Sequence, residues 1–414
     1  MAEQPSSRVD PDVVAYSAFA GLRNDVDPER FGLTDLTVGT NIDLDKSGRI
    51  SRRAGYALMR AGATHSLWAQ GGLGVFVSGS TLYRLSDAYG AVVLRTGLTV
   101  GARMSYLPLN DSLFFSNGYE RGELRFGTLH SWGLDVPAPP AAVVTVGSMT
   151  AGIYQFSMTY LRNDGQESGA PLAGVVTVPE GGGLVFTLPV STDLEVADKV
   201  VYLTPPNGER LYRALLLPNA QTTATYQNDA RELAQPLDTQ FLGPPPAGHL
   251  LCYYRGCVFV AVEDVIYRSE PFAYSLFDLR KYMQMDGVVT MMEGYEDNER
   301  SPETNAVRSG IFIGTEKQCG TLIGSNADDF QYVQKTDYGA VRGAVAHVEG
   351  SVFGDGSTNA GLLPMFVTTN GICIGMPDMT IKNLTRSKYG FSAAGQGAAF
   401  FNAGPNRFVA VTNY

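Results

Sequence analysis

Residues 74–85 read GVFVSGSTLYRL, and residues 112–126 read SLFFSNGYERGELRF. Both place an apolar run, a turn rich in Gly, Ser or Asn, and a second apolar run within about a dozen residues. The same punctuation surrounds AVVLRTG at 91–97. Short strands arriving this regularly predict a sandwich or a propeller, not a helical chain. The first two stretches form a loose internal repeat, too weak to count blades.

Composition points the same way. The 414 residues include 47 Gly and 22 Pro, and only 17% are charged, against about 25% in an ordinary domain. The formal net charge of −10 opposes adhesive contact with DNA or an anionic membrane. It leaves open a channel through which DNA merely passes. Met1 to Asp12 is polar and lacks the apolar segment of a secretory signal. No apolar run approaches the roughly 18 residues of a membrane-spanning helix. These features predict a chain made in a cytoplasm, with Cys252, Cys257, Cys319 and Cys373 reduced and buried.

Two proline clusters divide the sequence: VPAPP at 136–140 and GPPPAG at 243–248. Residues 1–30 read as an extended polar arm. Residues 31–136 and 233–414 read as the two parts of a propeller, and 137–232 as an inserted sandwich. Within the insert, GIYQFSMTYLRNDGQES (152–168) turns at Asn163-Asp164-Gly165, and VVTVPEGGGLVFTLPV (175–190) supplies a second hairpin. A third turns at Pro206-Asn207-Gly208. The insert resembles a fibronectin type III or immunoglobulin-like module without the cysteine pair of true immunoglobulin domains. The stretch 291–310 lacks periodicity and is predicted to be a long loop. Residues 271–285 are expected to form a short helix or a docked loop.

Catalytic patterns are scarce. The four histidines, His65, His130, His249 and His347, show no HExxH or HxH spacing, and no phosphate loop or dinucleotide fingerprint is present. Gly390-Phe391-Ser392-Ala393-Ala394 lacks the second glycine of a nucleophile elbow. Glu263-Asp264 and Asp328-Asp329 are adjacent pairs, which on a strand point to opposite faces. Asp43-Leu44-Asp45-Lys46-Ser47-Gly48-Arg49-Ile50 imitates the start of a calcium loop, but Ala54 stands where a bidentate Glu is needed. No catalytic centre, cofactor or metal is expected. The triplet Arg49, Arg52 and Arg53 is a candidate for gripping carboxylates of another subunit. Glu293, Glu296, Asp297 and Glu299, with Glu303 beyond them, are candidates for a channel wall or gate.

Four stretches, in order, resemble one family. They are NIDLDKSGRISRRAGY (41–56), HLLCYYRGCVFVAVEDVIYRSEPFAYSLFD (249–278), GIFIGTEKQCGTLIGSNADDF (310–330) and FVTTNGICIGMPDMTIKNLT (366–385). Together they resemble the tail nozzle, or tail-hub and tail tubular, proteins of short-tailed double-stranded DNA phages. The resemblance implies a virion protein with a β-propeller, six copies in a ring, and a channel for genome ejection. It also implies contact with a head-to-tail adaptor and with tail fibres or spikes, and DNA passing without sequence-specific binding. The alternative is a propeller-plus-sandwich module that binds a host glycan, with Tyr253, Tyr254, Tyr274 and Tyr389 stacking sugar rings.

Overall fold

The structure, a computed structural model, describes residues 18–86, 88–300, 307–324, 329–353, 361–391 and 393–413, without the side chains of 297–300, 307–308, 394 and 413. The chain is all-β, a propeller-like array of blades with an inserted immunoglobulin-like sandwich. Five sheets each contain four sequential antiparallel strands. The first blade holds Thr64–Gln70, Leu73–Ser78, Thr81–Leu85 and Ala91–Arg95. The second runs from Ser105–Leu109 to Thr128–His130. The third runs from Leu250–Tyr254 to Ala273–Gln284, and the fourth from Val289–Arg300 to Gln331–Thr336. The fifth runs from Ala340–Glu349 to Ile381–Asn383. A last hairpin, Ala394–Asn402 with Arg407–Asn413, joins the fifth blade through the parallel pair Arg342↔Gln396.

No single blade has a core of its own. The apolar residues lie between sheets, one seam for each neighbouring pair. Val75, Val77 and Leu82 of the first blade meet Leu113, Phe115 and Leu124 of the second. Phe114 and Trp132 meet Val258, Val260 and Phe277 of the third. Phe259 and Ile266 meet Ile311 and Ile313 of the fourth, whose Phe312 packs with Phe366 and Ile374 of the fifth. Alternation along each strand thus serves two seams, with Phe114 facing one and Phe115 the other. The four cysteines are free and buried in or beside these seams. Burial pushes the Cys319 thiol up to about 12.

The insert is a two-sheet sandwich. One sheet pairs Ala141–Met149, Gly182–Thr187 and Thr223–Tyr226. The other orders Gly174–Val178, Gly152–Arg162, Val196–Leu203 and Tyr212–Pro218. Tyr154, Phe156, Leu184, Phe186, Val201 and Leu203 fill the space between them. The chain leaves the second blade and re-enters the third at one crossing. There Gly133, at φ 80°, lies so close to Pro245 that a Cβ would sit 2.6 Å from its ring. Gly243 then exchanges two backbone hydrogen bonds with Phe277, each 2.8 Å. Residues 233–242 continue to pack on the sandwich: Leu237 N donates to Leu211 O, and Leu237 is buried with Val200 and Tyr202.

Two sequence expectations are corrected. Much of the expected loop at 291–310 belongs to the strands Val289–Arg300 and Val307–Thr315. The expected helix or docked loop at 271–285 is the strand Ala273–Gln284, whose pairing is broken by register shifts that hide its alternation. The described part of the arm is pinned to the C-terminal region. Asn24 Nδ2 donates to Gly390 O (2.6 Å), and Gly390 N donates to Asn24 Oδ1 (2.7 Å).

Candidate functional site: an exposed segment, a charged cleft and a basic mouth

Ile42–Leu44 and Ile50–Arg52 pair as an antiparallel hairpin. Asp45 Oδ1 accepts from Ser47 N (2.8 Å), Ser47 Oγ (2.7 Å) and Arg49 N (2.9 Å), which makes it a turn-forming residue. Asp43 lies between two guanidiniums, Arg53 Nε at 3.1 Å and Arg407 Nη1 at 2.5 Å. Of the candidate triplet, Arg53 is therefore engaged within its own chain. Arg49 and Arg52 are exposed. Every residue from 49 to 64 is exposed, and 53–61 has no regular structure. Tyr56 (87% exposed), Leu58 (82%) and Met59 (58%) stand out from this segment. It is held to the first blade by Arg60, whose guanidinium lies 5.2 Å from Phe76 and 5.0 Å from Tyr83.

The candidate gate residues lie on the fourth blade's first strand. Glu293 is half-buried, 3.2 Å from His347 Nε2 on the fifth blade. Glu296 is exposed and accepts from Arg255 N (2.6 Å). The side chains of Asp297 and Glu299, and all of Glu303, lie outside the described residues, as do Ser392 and Asp328. Glu263 and Asp264 form the two-residue turn between Cys257–Val262 and Val265–Glu270. Of the proposed sugar-stacking rings, Tyr254 is 2% exposed, and Tyr253 packs edge-on against Tyr274. Half-buried Tyr389 packs beside Phe391.

The charge of Glu293, with its hydrogen bond, raises the His347 pKa above 6.5. A raised histidine pKa gives stability that is full below about 6.5 and is lost as pH rises through the folded value. With His347 45% exposed, screening keeps the effect below about 1 kcal/mol. Denaturant midpoints measured at pH 6 and pH 8 should therefore fall more in the wild type than in Glu293→Gln. Equal falls would show that the pair does not hold a proton.

A cleft of about 760 Å³ separates the second blade from the sandwich. Ion pairs join the blade to the sandwich: His130 to Glu195 (2.5 Å) on the cleft wall, and Arg125 to Asp164 (2.8 Å) outside its lining. Buried Arg162 reaches Asp164 (2.8 Å), Glu195 (3.1 Å) and Ser131 O (3.1 Å). Burial raises the Asp164 pKa, but hydrogen bonds from Arg162 and Arg125 outweigh it and hold the carboxyl well below the usual range. The blade and the sandwich are thus cross-linked where they meet.

A second cavity, about 380 Å³, lies where the first strands of successive blades begin. Arg103 precedes the second blade, His249 the third and Val288 the fourth, while Arg342 and Gln396 open the fifth blade and the last hairpin. Arg103 Nη1 donates to Gly397 O (2.6 Å) and Arg342 O (3.4 Å), and Arg342 Nη2 to His249 O (3.5 Å). Burial lowers the pKa of both arginines, and Arg103 lowers that of Arg342 further. Burial also lowers the pKa of His249, whose Nε2 lies 2.7 Å from Val289 O, so the ring is neutral near pH 7. Sequence reading missed this convergence. Arg103 and Arg342 stand 239 positions apart and belong to no motif.

No family model matches the chain, and no curated protein matches it. Solved structures give distant likenesses. One is BBS1N in complex with ARL6DN (12% identity, 75% of this chain and 89% of that one, TM-score 0.19). A second is apo AztD from Citrobacter koseri (13%, 90% and 88%, TM-score 0.27). A third is the extracellular domain of the one-component system protein BT4673 from B. thetaiotaomicron (12%, 93% and 50%, TM-score 0.26). Likenesses this distant say nothing about what the chain binds or does.

Proposed function

We propose that the chain is a structural subunit of a short phage tail, assembling into a ring of about six copies around a channel for the genome. The adaptor, the fibres or spikes and the passing DNA belong to the same reading. The observation that carries self-assembly is the segment 49–64, which is wholly exposed and presents Tyr56, Leu58 and Met59. Three large apolar side chains on a tethered segment without regular structure are left mostly uncovered by their own chain. Contiguous exposed apolar surface of this kind marks an interaction site, and a neighbouring copy in a ring would cover it. Arg49 and Arg52 open the same segment and have carboxylates to meet on a subunit of net charge −10. The stretches that carry the family resemblance also coincide with structural units: the hairpin and the start of the exposed segment after it, then strands of the third, fourth and fifth blades.

Mass photometry tests the reading. The wild type should form a discrete species near six times 44.5 kDa, alone or on a portal–adaptor complex. Changing Tyr56, Leu58 and Met59 together to Ser should leave the monomer's melting temperature within about 1 °C, because exposed positions contribute little to the fold. It should also abolish the large species. A wild type that stays monomeric in both settings would defeat the proposal.

A further inference from the structure

The basic mouth has a feature that neither the fold nor ring assembly requires. Two guanidiniums share one cavity, and among the described residues no carboxylate lies within ion-pair distance of either. Glu263 lines the same cavity from an exposed turn, and its charge acts on Arg342 without a direct ion pair, so two cations face one carboxylate. The chain carries a net charge of −10, so this local excess of positive charge runs against its overall balance. Half-buried charges are ordinarily paired, because desolvation without a partner is costly.

The backbone is also shaped to hold one of these cations. Gly343 has φ 79°, and a Cβ there would lie 2.8 Å from Cζ, Nη1 and Nη2 of Arg103 at once. The guanidinium therefore lies flat against the glycine, with Nη1 anchored on two carbonyls. Its other nitrogens remain free to donate in the fork that suits an oxyanion. Neutral His249 completes the wall without adding charge.

We infer that this mouth binds a small multivalent oxyanion of the phosphate type, clamped between Arg103 and Arg342. The inference does not depend on ring assembly and is tested separately from it. The intact chain is titrated with inorganic phosphate by calorimetry and followed by thermal melting, with chloride at matched ionic strength as the control. One saturable site is expected, with stabilisation that rises with phosphate and not with chloride. Arg342→Gln should weaken binding at least about tenfold, as expected for losing a charge-assisted hydrogen bond. In phosphate-free buffer the same variant should melt no lower than the wild type, because its repulsion with Arg103 is gone. Arg103→Gln should also lose binding. If that variant fails to fold for want of its carbonyl contacts, Arg342→Gln still decides the matter. Phosphate that stabilises no better than chloride, or Arg342→Gln binding phosphate as the wild type does, would overturn the inference.

Discussion

The isolated sandwich should fold cooperatively as residues 134–242 and be far less stable as residues 134–232. Both fragments keep Leu134, which is 2% exposed within the main sandwich core. They differ in the strip after Ala230–Glu232, which turns back along the strand Tyr212–Pro218. There Arg213 N donates to Gln235 O (2.7 Å) and Leu237 N to Leu211 O (2.9 Å), and Ala170 bridges to Gln240. Beneath the strip lie Val200, Tyr202 and Leu211, each no more than 2% exposed, on the face opposite the main core. Strand alternation puts Val201 and Leu203 into that core and Val200 and Tyr202 under the strip. Removing the strip deletes buried Leu237 and wets its neighbours. Losing one buried Leu costs about 2–5 kcal/mol, and each kcal/mol lowers the melting point of a domain this size by roughly 4–8 °C. Circular-dichroism melts of the two fragments read the difference directly, and Leu237→Ala in the intact chain should move in the same direction. Coincident melts would show that 233–242 is only a connector.

The blades were legible because their signals are local. GVFVSGSTLYRL and SLFFSNGYERGELRF became hairpins of the first and second blades, turning where Gly and Asn allow it. The sandwich was legible from its turns at Asn163-Asp164-Gly165 and Pro206-Asn207-Gly208. The strand Val289–Arg300 was not, because its polar Glu293 is accommodated by His347 on another blade. Such a partner lies beyond any sequence window. The strand Ala273–Gln284 was hidden for a different reason: bulges shift its register and scramble the alternation by which strands are recognised. The basic mouth was invisible because a propeller brings together the starts of strands that are far apart in sequence. Arg103 and Arg342 acquire meaning only when the first strands of the blades lie side by side. The one trace in the sequence is Gly343 directly after Arg342, and a lone glycine in a strand pattern has too many readings to mark a site.

Replacing Trp132 with Ala should be the most damaging single substitution in the propeller seams. Trp132 is 1% exposed, with its ring 5.1 Å from Phe114 and 6.4 Å from Phe277. Its Nε1 donates to Tyr274 O (3.0 Å), and its carbonyl accepts from Arg121 Nε (3.3 Å). One side chain thus fills the seam between the second and third blades, next to the crossing at Gly133 where the sandwich departs. Truncation to Ala removes about 3–5 kcal/mol of packing. It also leaves the Tyr274 carbonyl without its donor, at about 1 kcal/mol more. Against a total of about 5–15 kcal/mol for an ordinary domain, that is enough to open the seam. Trp68, the only other tryptophan, provides the control. It is half-buried on the first blade, 6.2 Å from Tyr106, and its indole makes no hydrogen bond among the described residues. Trp68→Ala should cost less than half as much in a denaturant titration. Trp132→Phe should fall between the two, keeping the ring contact and losing the donor. Hydrogen exchange should quicken in Ala273–Gln284 for Trp132→Ala and not for Trp68→Ala. Equal losses in the two alanine variants would mean that the seam is held by its aliphatic residues and that Trp132 only fills space.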